Sequence, residues 1–338
     1  MRRYIVRRIA TSAIVMAVLV LITFLLSRVI PNDPAVVYAG PKASPETLAR
    51  IRDDLGLNNS LFVQFFSYVR DLVHGDWGTS LATKQPVLPD TLSRLPATLE
   101  LIVAAMSLAT ILGVALGVVA ARRPGTVLDG MIRFLCIGGV SMPAFWLGLL
   151  LQVLFVGQLG VLKATGQFSG TIQYEHPISQ VTGFDMVDAL ITGNFVAFGD
   201  GLQHLVLPAI TLAAYPLGLI ARMTRAAMLE ALEQDYSTTA QAFGLRSRTI
   251  VWKLALRNAL SPTLTVLGLS IAYALTGTFF VEVVFNWPGI GQYATEAMLA
   301  VDYPVIMAIT LLGAAGYLLT NLVVDLLQAR IDPRVRVS

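Results

Sequence analysis

Apolar residues along this chain fall in long blocks, not at alternate positions. Six runs are close to 20 residues, about the length of helix that crosses a hydrocarbon core of about 30 Å. They are Ile9–Ile30, Ala97–Ala121, Ile132–Val156, Leu205–Ala221, Ala259–Phe280 and Val305–Leu327. None shows the period of two that marks a barrel strand. The pattern predicts an all-α polytopic membrane protein with six transmembrane helices. The first run follows the basic start MRRYIVRR, but its apolar core exceeds the 7–15 residues of a signal peptide and no small-residue cleavage site follows. It is expected to be an uncleaved first span.

The remaining segments divide the chain into an N-terminus with span 1 (1–30), an extracytoplasmic segment (31–96) and a core of spans 2–6 (97–338) that contains a long loop at 222–258. In the outer segment, SPETLARIRDDLGL predicts a helix with Ser44 as N-cap, Pro45 in the first turn and Gly56 as the stop. LFVQFFSYVRDLV then places Leu61, Phe65, Phe66, Val69 and Val73 on one helical face, against the bundle or on the membrane surface. Within span 2, Ala109, Gly113, Gly117 and Ala121 recur every fourth residue, a stripe that lets helices pack closely. Pro143 and Pro208 interrupt or begin other spans.

Composition agrees with lipid as the solvent. The 338 residues are 55% hydrophobic and 13% charged, against about 25% charged in soluble domains, and mean hydropathy is +0.69. A pI near 9.1 raises nucleic acid as a partner, but the distribution of the charge removes it. With the N-terminus inside, sixteen Lys and Arg fall on inner segments, including six from Arg222 to Arg257, and seven on outer segments. That bias predicts that both termini and the 222–258 loop are cytoplasmic.

The chemistry that is missing narrows the function. There is no GxxxxGK[ST] phosphate loop, no GxSxG elbow and no HExxH. Cys136 is the sole cysteine, so no intrachain disulfide forms, and His74, His176 and His204 lie far apart, against a built-in metal site. Polar residues in the spans are few: Gln152, Asn258, Asn321 and Asp325, with Glu100 and Glu282 expected near water at the outer ends. Nothing there forms a chain of acids suited to proton coupling. The chain reads as a conduit whose energy comes from elsewhere.

The loop at 222–258 is more than a basic anchor. RMTRAAMLEALEQD continues span 4 as a helix, Asp235 is placed to cap a short helix YSTTAQAF, Gly244 ends it, and Ser247 is placed to cap a third helix leading into span 5. Two helical struts thus carry a short transverse helix, a lever suited to receiving force from a soluble protein.

This loop resembles the signature of the inner-membrane permeases of ATP-binding-cassette importers. Counting back from Gly244, the EAA positions of that signature fall on Thr238, Thr239 and Ala240; its apolar position falls on Leu254, and the proline comes later, at Pro262. The form TAQAFGL…ALRNALSP is similar to the peptide-importer branch. LGLNNSLFVQFFSYVRDLVHGDWGTSL, RLPATLEL, SMPAFWLGLLL and VEVVFNWPGIGQYATEAMLAVDYPVI resemble, in order, the B-type permease of dipeptide, oligopeptide and nickel importers.

The resemblance implies a type I importer fold in a bacterial inner membrane and a non-catalytic subunit. It implies a C-type permease partner, two ATP-binding subunits that carry ATP and Mg while this chain binds no cofactor, and an extracytoplasmic solute-binding protein that delivers di- or oligopeptides. Tyr236–Leu245 would be the coupling helix, with Tyr236, Thr238, Thr239, Ala240, Ala242, Phe243, Gly244 and Leu245 at the ATPase and with Ala240, Ala242 and Phe243 making the apolar contact. GDWGTS and NWPGIGQYATEAM would touch the binding protein or form an outer gate, or simply pack. Nickel, opine or sugar import, a secondary carrier without an ATPase, and a membrane-embedded assembly factor are the alternatives.

Overall fold

The computed structural model describes residues 2–29, 35–36, 43–54, 56–163 and 165–331. Lys42, Arg334 and Arg336, which enter the charge asymmetry, lie outside the described residues. The described secondary structure is helical apart from turns and an isolated bridge between Thr79 and Pro86.

The elements are α1 (Arg2–Val29), α2 (Pro45–Asp54), α3 (Leu61–Val73), α4 (Val87–Arg122), α5 (Val127–Ser141), α6 (Ala144–Gln158), α7 (Gly170–Glu175), α8 (Asp185–Ile191), α9 (Phe195–Glu233), α10 (Asp235–Ala242), α11 (Ser247–Phe285), α12 (Ile290–Leu299) and α13 (Tyr303–Ile331). Among the described residues, five helices are long and apolar enough to cross a membrane: α1, α4, α9, α11 and α13. The third apolar run, Ile132–Val156, is not one straight span. It divides between α5 and α6, which meet at 111°. Pro143 has no N–H to give to the preceding turn and disfavours a helical residue before it; Met142 is accordingly extended, at φ −86° and ψ 132°.

The chain resolves into two compact units: Met1–Leu95 with Tyr293–Leu318, and Pro96–Gln292 with Leu319–Ser338. In the first, Ser44 caps α2 as predicted, its Oγ accepting from the Thr47 N–H at 3.2 Å, and Gly56 follows the helix at φ +61°. The face that α3 buries is shifted from the predicted one. Phe65, Tyr68, Val69 and Leu72 are half-buried, with Phe24 5.3 Å from Phe65 and 5.8 Å from Tyr68, whereas Leu61, Phe66 and Val73 stay exposed. GDWGTS and the 293–298 end of the second outer motif lie within this unit. Trp77 of GDWGTS packs beside Val87, Tyr293, Ala297, Val305 and Ala308, and Ser80 donates to Asp302 at 2.5 Å.

The second unit is built on the contact of α9 with α4, α5 and α11. The small-residue stripe of α4 lies against α9: a Cβ on Gly113 would meet Ile220 at 2.9 Å, and one on Gly117 would meet Thr224 at 2.6 Å and the Ala221 carbonyl at 2.7 Å. Ala109 and Ala121 are buried. The stripe is thus a packing surface. The core here is Leu101, Ile102, Ala105, Leu207, Leu212, Val281, Phe285 and Trp287, whose indole Nε1 donates to the Ala97 carbonyl at 2.8 Å.

Candidate functional site

Helix α9 continues twelve residues past Ala221 to Glu233, and α11 begins twelve residues before Ala259, at Ser247. At 1.5 Å per residue each strut extends about 18 Å beyond its apolar run. A buried cluster binds the struts together: Val118 and Ala121 of α4, Ala227, Met228 and Ala231 of α9, and Val251, Ala255 and Ala259 of α11.

Helix α10 bridges the strut ends. Its N-cap is Gln234, extended at φ −70° and ψ 150° and making no side-chain capping bond. The capping role expected of Asp235 therefore moves back one residue, and Asp235 lies in the first turn, where its charge favours the helix dipole. The same holds beyond the turn, where Arg246 and not Ser247 precedes the next helix. In both places the chain uses an extended backbone residue where the sequence offers a side-chain acceptor.

The C-terminal end of α10 follows the prediction closely. Gly244 has φ +75°, the left-handed conformation that only glycine adopts without cost. The Leu245 N–H donates to the Ala240 carbonyl at 3.1 Å and the Gly244 N–H to the Gln241 carbonyl at 2.9 Å, the paired bonds of a Schellman motif. Ser237 and Ala240 turn inward, Tyr236 is half-buried, and Thr238, Thr239, Ala242, Phe243, Gly244 and Leu245 are exposed. Ala240, 8% exposed, is buried by the chain itself and is removed from the outward contact expected of it. Phe243 is 81% exposed, an aromatic ring held in the open by a rigid turn.

An ion pair that the sequence reading missed secures this end of the unit. Arg225 of α9 donates from Nε to Asp129 Oδ1 at 2.7 Å and from Nη2 to Oδ2 at 2.8 Å. Asp129, 1% exposed, also accepts from the Gly125 N–H at 3.0 Å, and its own N–H donates to Thr126 Oγ1 at 3.4 Å. Thr126 and Asp129 form a T-x-x-D helix start, a legible signal; the partner 96 residues away is not.

A second feature lies between α9 and α11. Tyr215 and Tyr273 stack at 4.3 Å on the wall of a cavity of about 400 Å³ whose lining also includes Arg222, Met223, Leu269 and Ser270. Neither tyrosine carries a sequence signal, because only the fold brings them together.

At the far end of the helices the acids are not open to water as expected. Glu282 is fully buried: Thr98 Oγ1 donates to its Oε1 at 2.7 Å, and the Gly291 and Gln292 N–H groups donate to Oε2 at 2.6 and 3.2 Å. Glu100, 9% exposed, accepts from Gln167 Nε2 at 2.7 Å and the Met186 N–H at 2.9 Å. Asp200 accepts from Lys163 Nζ and from the Ser169 N–H at 2.7 Å, with His204 at 3.5 Å. Each is tied to a loop or a short helix, so these groups fasten the loops. Asp188 of α8 belongs to the same class. Burial alone pushes its carboxyl up, but Thr182 Oγ1 at 2.6 Å and the N–H groups of Val181, Thr182 and Gly183 at 2.9–3.1 Å bring it below the usual range. Burial and the Asp188 charge push neighbouring Asp185 up. Among the described residues no three His, Cys, Asp or Glu stand together as a metal site.

The architecture is therefore a membrane bundle with a short, exposed, glycine-terminated helix at the end of two struts. Residues 113–337 match the family described as the inner membrane component of binding-protein-dependent transport systems, and residues 1–102 match the N-terminal family of the same membrane components. The chain belongs to that family. This transport-system membrane component is 46% identical over 322 residues to the probable D,D-dipeptide transport system permease protein DdpB of Escherichia coli K12, covering 95% of this chain and 94% of the relative. It is 41% identical over 336 residues to the dipeptide transport system permease protein DppB of Alkalihalophilus pseudofirmus, covering 99% and 100%. It is 35% identical over 336 residues to the glutathione transport system permease protein GsiC of Salmonella typhimurium, covering 99% of each. As a member of this family it is a multi-pass inner-membrane permease.

Proposed function

We propose that this permease is the B-type half of an ATP-driven importer of di- or oligopeptides, and that α10 with the Phe243–Leu245 turn is where the ATPase grips it. The observation that carries the coupling role is Phe243, 81% exposed at the end of a helix whose other side is buried. An isolated exposed phenylalanine held by a Schellman turn is a knob for a cleft on another protein. Ala242 and Leu245 flank it on the same open surface, and Thr238 and Thr239 supply polar contacts at the rim.

In this reading a C-type permease completes the path, two ATP-binding subunits hold ATP and Mg, and an extracytoplasmic binding protein delivers the peptide. This chain itself holds no nucleotide. Both termini and α10 face the cytoplasm, in keeping with the Lys and Arg bias. The three relatives carry dipeptide or glutathione in their names, which supports peptides as cargo over nickel, opines or sugars. The Tyr215–Tyr273 stack is the part of the wall best suited to a peptide, offering aromatic rings to its side chains.

ATP-driven closure must move the bundle between two access states. A shift from 1:99 to 99:1 requires roughly 5.5 kcal/mol of differential binding, so the contact at α10 has to be tight. The test is to reconstitute the permease with the subunits that purify with it and to measure ATP hydrolysis with di- to octapeptides and the cognate binding protein. Peptide-stimulated hydrolysis that Phe243→Asp uncouples is the expected result. An assembly stimulated only by nickel, an opine or a sugar replaces the cargo, and transport with no associated ATPase overturns the mechanism.

A further inference from the structure

We infer that a cavity between α5 and α9 binds an anionic phospholipid of the leaflet at the α10 end, with Arg133 and Arg222 holding its phosphate. The cavity has a volume of about 320 Å³ and a mainly apolar wall that includes Cys136, Ile137, Val140, Gly218 and Ala221, together with Arg133, Arg222 and Arg225.

Charge is unbalanced there. Asp129 is spent on Arg225 through the two-pronged bond described above, and Arg133 stands 3.6 Å from the same carboxylate with its side chain 56% exposed. Arg222 is exposed and makes no ion pair among the described residues. Three guanidinium groups therefore share one carboxylate at the edge of a membrane-embedded cavity. Charges in that setting are costly unless an anion meets them.

The direction of the wall selects the anion. Asp129 pairs with Arg225, while Gly218 lies against the Cys136 carbonyl and Gly139 against the Ala214 carbonyl, so α5 and α9 run antiparallel. From Arg133, the residues Cys136, Ile137 and Val140 lie about 5–10 Å further along α5. On α9, Gly218 lies about 6 Å from Arg222 in the same direction. Cations occupy one end of the cavity and apolar groups line the rest. A soluble phosphate has no use for that wall, whereas a phospholipid places its head at the arginines and a chain against it. Basic pockets between spans at the cytoplasmic face are the usual setting for such headgroups, and in the orientation proposed above this is the cytoplasmic leaflet.

The test uses the permease assembled with its copurifying subunits, stripped of lipid in mild detergent. Phosphatidylglycerol and phosphatidylcholine of the same acyl chains are then added and counted by native mass spectrometry. Cys136, the sole cysteine, is buried. In a Cys136→Ser background, Ile137→Cys places a thiol on the cavity wall at a position 61% exposed, and its rate of reaction with a small maleimide reports occupancy. Phosphatidylglycerol is expected to bind preferentially and to slow the reaction of that thiol. Arg133→Gln and Arg222→Gln should each weaken it about fivefold, from roughly 1 kcal/mol per basic residue. Arg222→Lys should retain it, and Ile137→Trp should displace it with no change of charge. Equal binding of the two lipids overturns the inference, as does undiminished binding to the double glutamine variant. So does lipid binding that leaves the rate of the Ile137→Cys thiol unchanged. Shielding of that thiol in the lipid-free assembly, at a position 61% exposed in this chain, means that a protein surface fills the cavity, and it overturns the inference too.

Discussion

Gly244 separates a backbone requirement from a contact requirement. Its φ is +75° and nothing lies within 4 Å of where a Cβ would sit, so a side chain there meets strain and not a clash. A β-branched residue in the left-handed region costs roughly 1–2 kcal/mol, while asparagine tolerates it. Gly244→Val is therefore expected to loosen the α10 turn and reduce transport-linked ATP hydrolysis about tenfold or more, with Gly244→Asn near the parent value. Equal loss in both variants would mean that the ATPase contacts this position directly. The pair on α8 gives a second residue-scale prediction, with opposite signs. Asp188 has a folded-state pKa below its ordinary 3.8, so it stabilises the fold above that value and loses its contribution as pH falls through the folded one. Asp185 is raised above 3.8, so its ionised form opposes folding once pH climbs past the folded value. At pH 7 thermal melts of the purified permease should show a lower midpoint for Asp188→Asn and a higher one for Asp185→Asn. The double variant should be non-additive, because Asp185 is raised partly by the Asp188 charge.

Helices show how far local pattern reaches. The apolar runs were legible because span length follows from bilayer thickness. Gly244 and Ser44 were legible because their roles follow from one residue's own conformational and bonding preferences. Pro143 marked the break in the third run, but the 111° between α5 and α6 depends on what each half packs against. Asp129 with Arg225, Thr98 with Glu282 and Tyr215 with Tyr273 were not legible: each pairs residues far apart in the chain, and no local period encodes the match. For Glu282 the local rule misled, since closeness to a span end suggested water while the first-turn N–H groups of α12, those of Gly291 and Gln292, had closed over it. The α4 stripe was legible as packing, and its partner was supplied by the fold. Gly117 has Thr224 and the Ala221 carbonyl within 2.7 Å of an added Cβ, so Gly117→Val must push α4 from α9. Overpacking of this kind costs about 1–3 kcal/mol, and the spread between helices enters the cluster that holds the struts. The expected readout is a lower melting midpoint with reduced peptide-stimulated ATP hydrolysis, while Gly130→Ala on α5, with nothing within 4 Å, serves as the neutral control.

At the scale of the whole molecule, the coupling proposal and the lipid proposal share one requirement: that the end carrying α10 faces the compartment holding ATP. The sequence argues for this through sixteen inner Lys and Arg against seven outer ones, an asymmetry that translocation preserves. It can be measured with a single reporter. In a Cys136→Ser background, Phe243→Cys places the sole thiol at a position 81% exposed in this chain. A membrane-impermeant maleimide should leave it unlabelled in right-side-out vesicles and label it in inverted ones. Adding purified ATP-binding subunits to inverted vesicles should then slow the labelling, since the knob enters their cleft. Labelling from the right-side-out face would reverse the topology and remove the coupling role of α10. Labelling from the inner face that the ATP-binding subunits do not slow would keep the topology and move their contact elsewhere on the loop, with Trp252, 39% exposed on the α11 strut, the next aromatic residue to test.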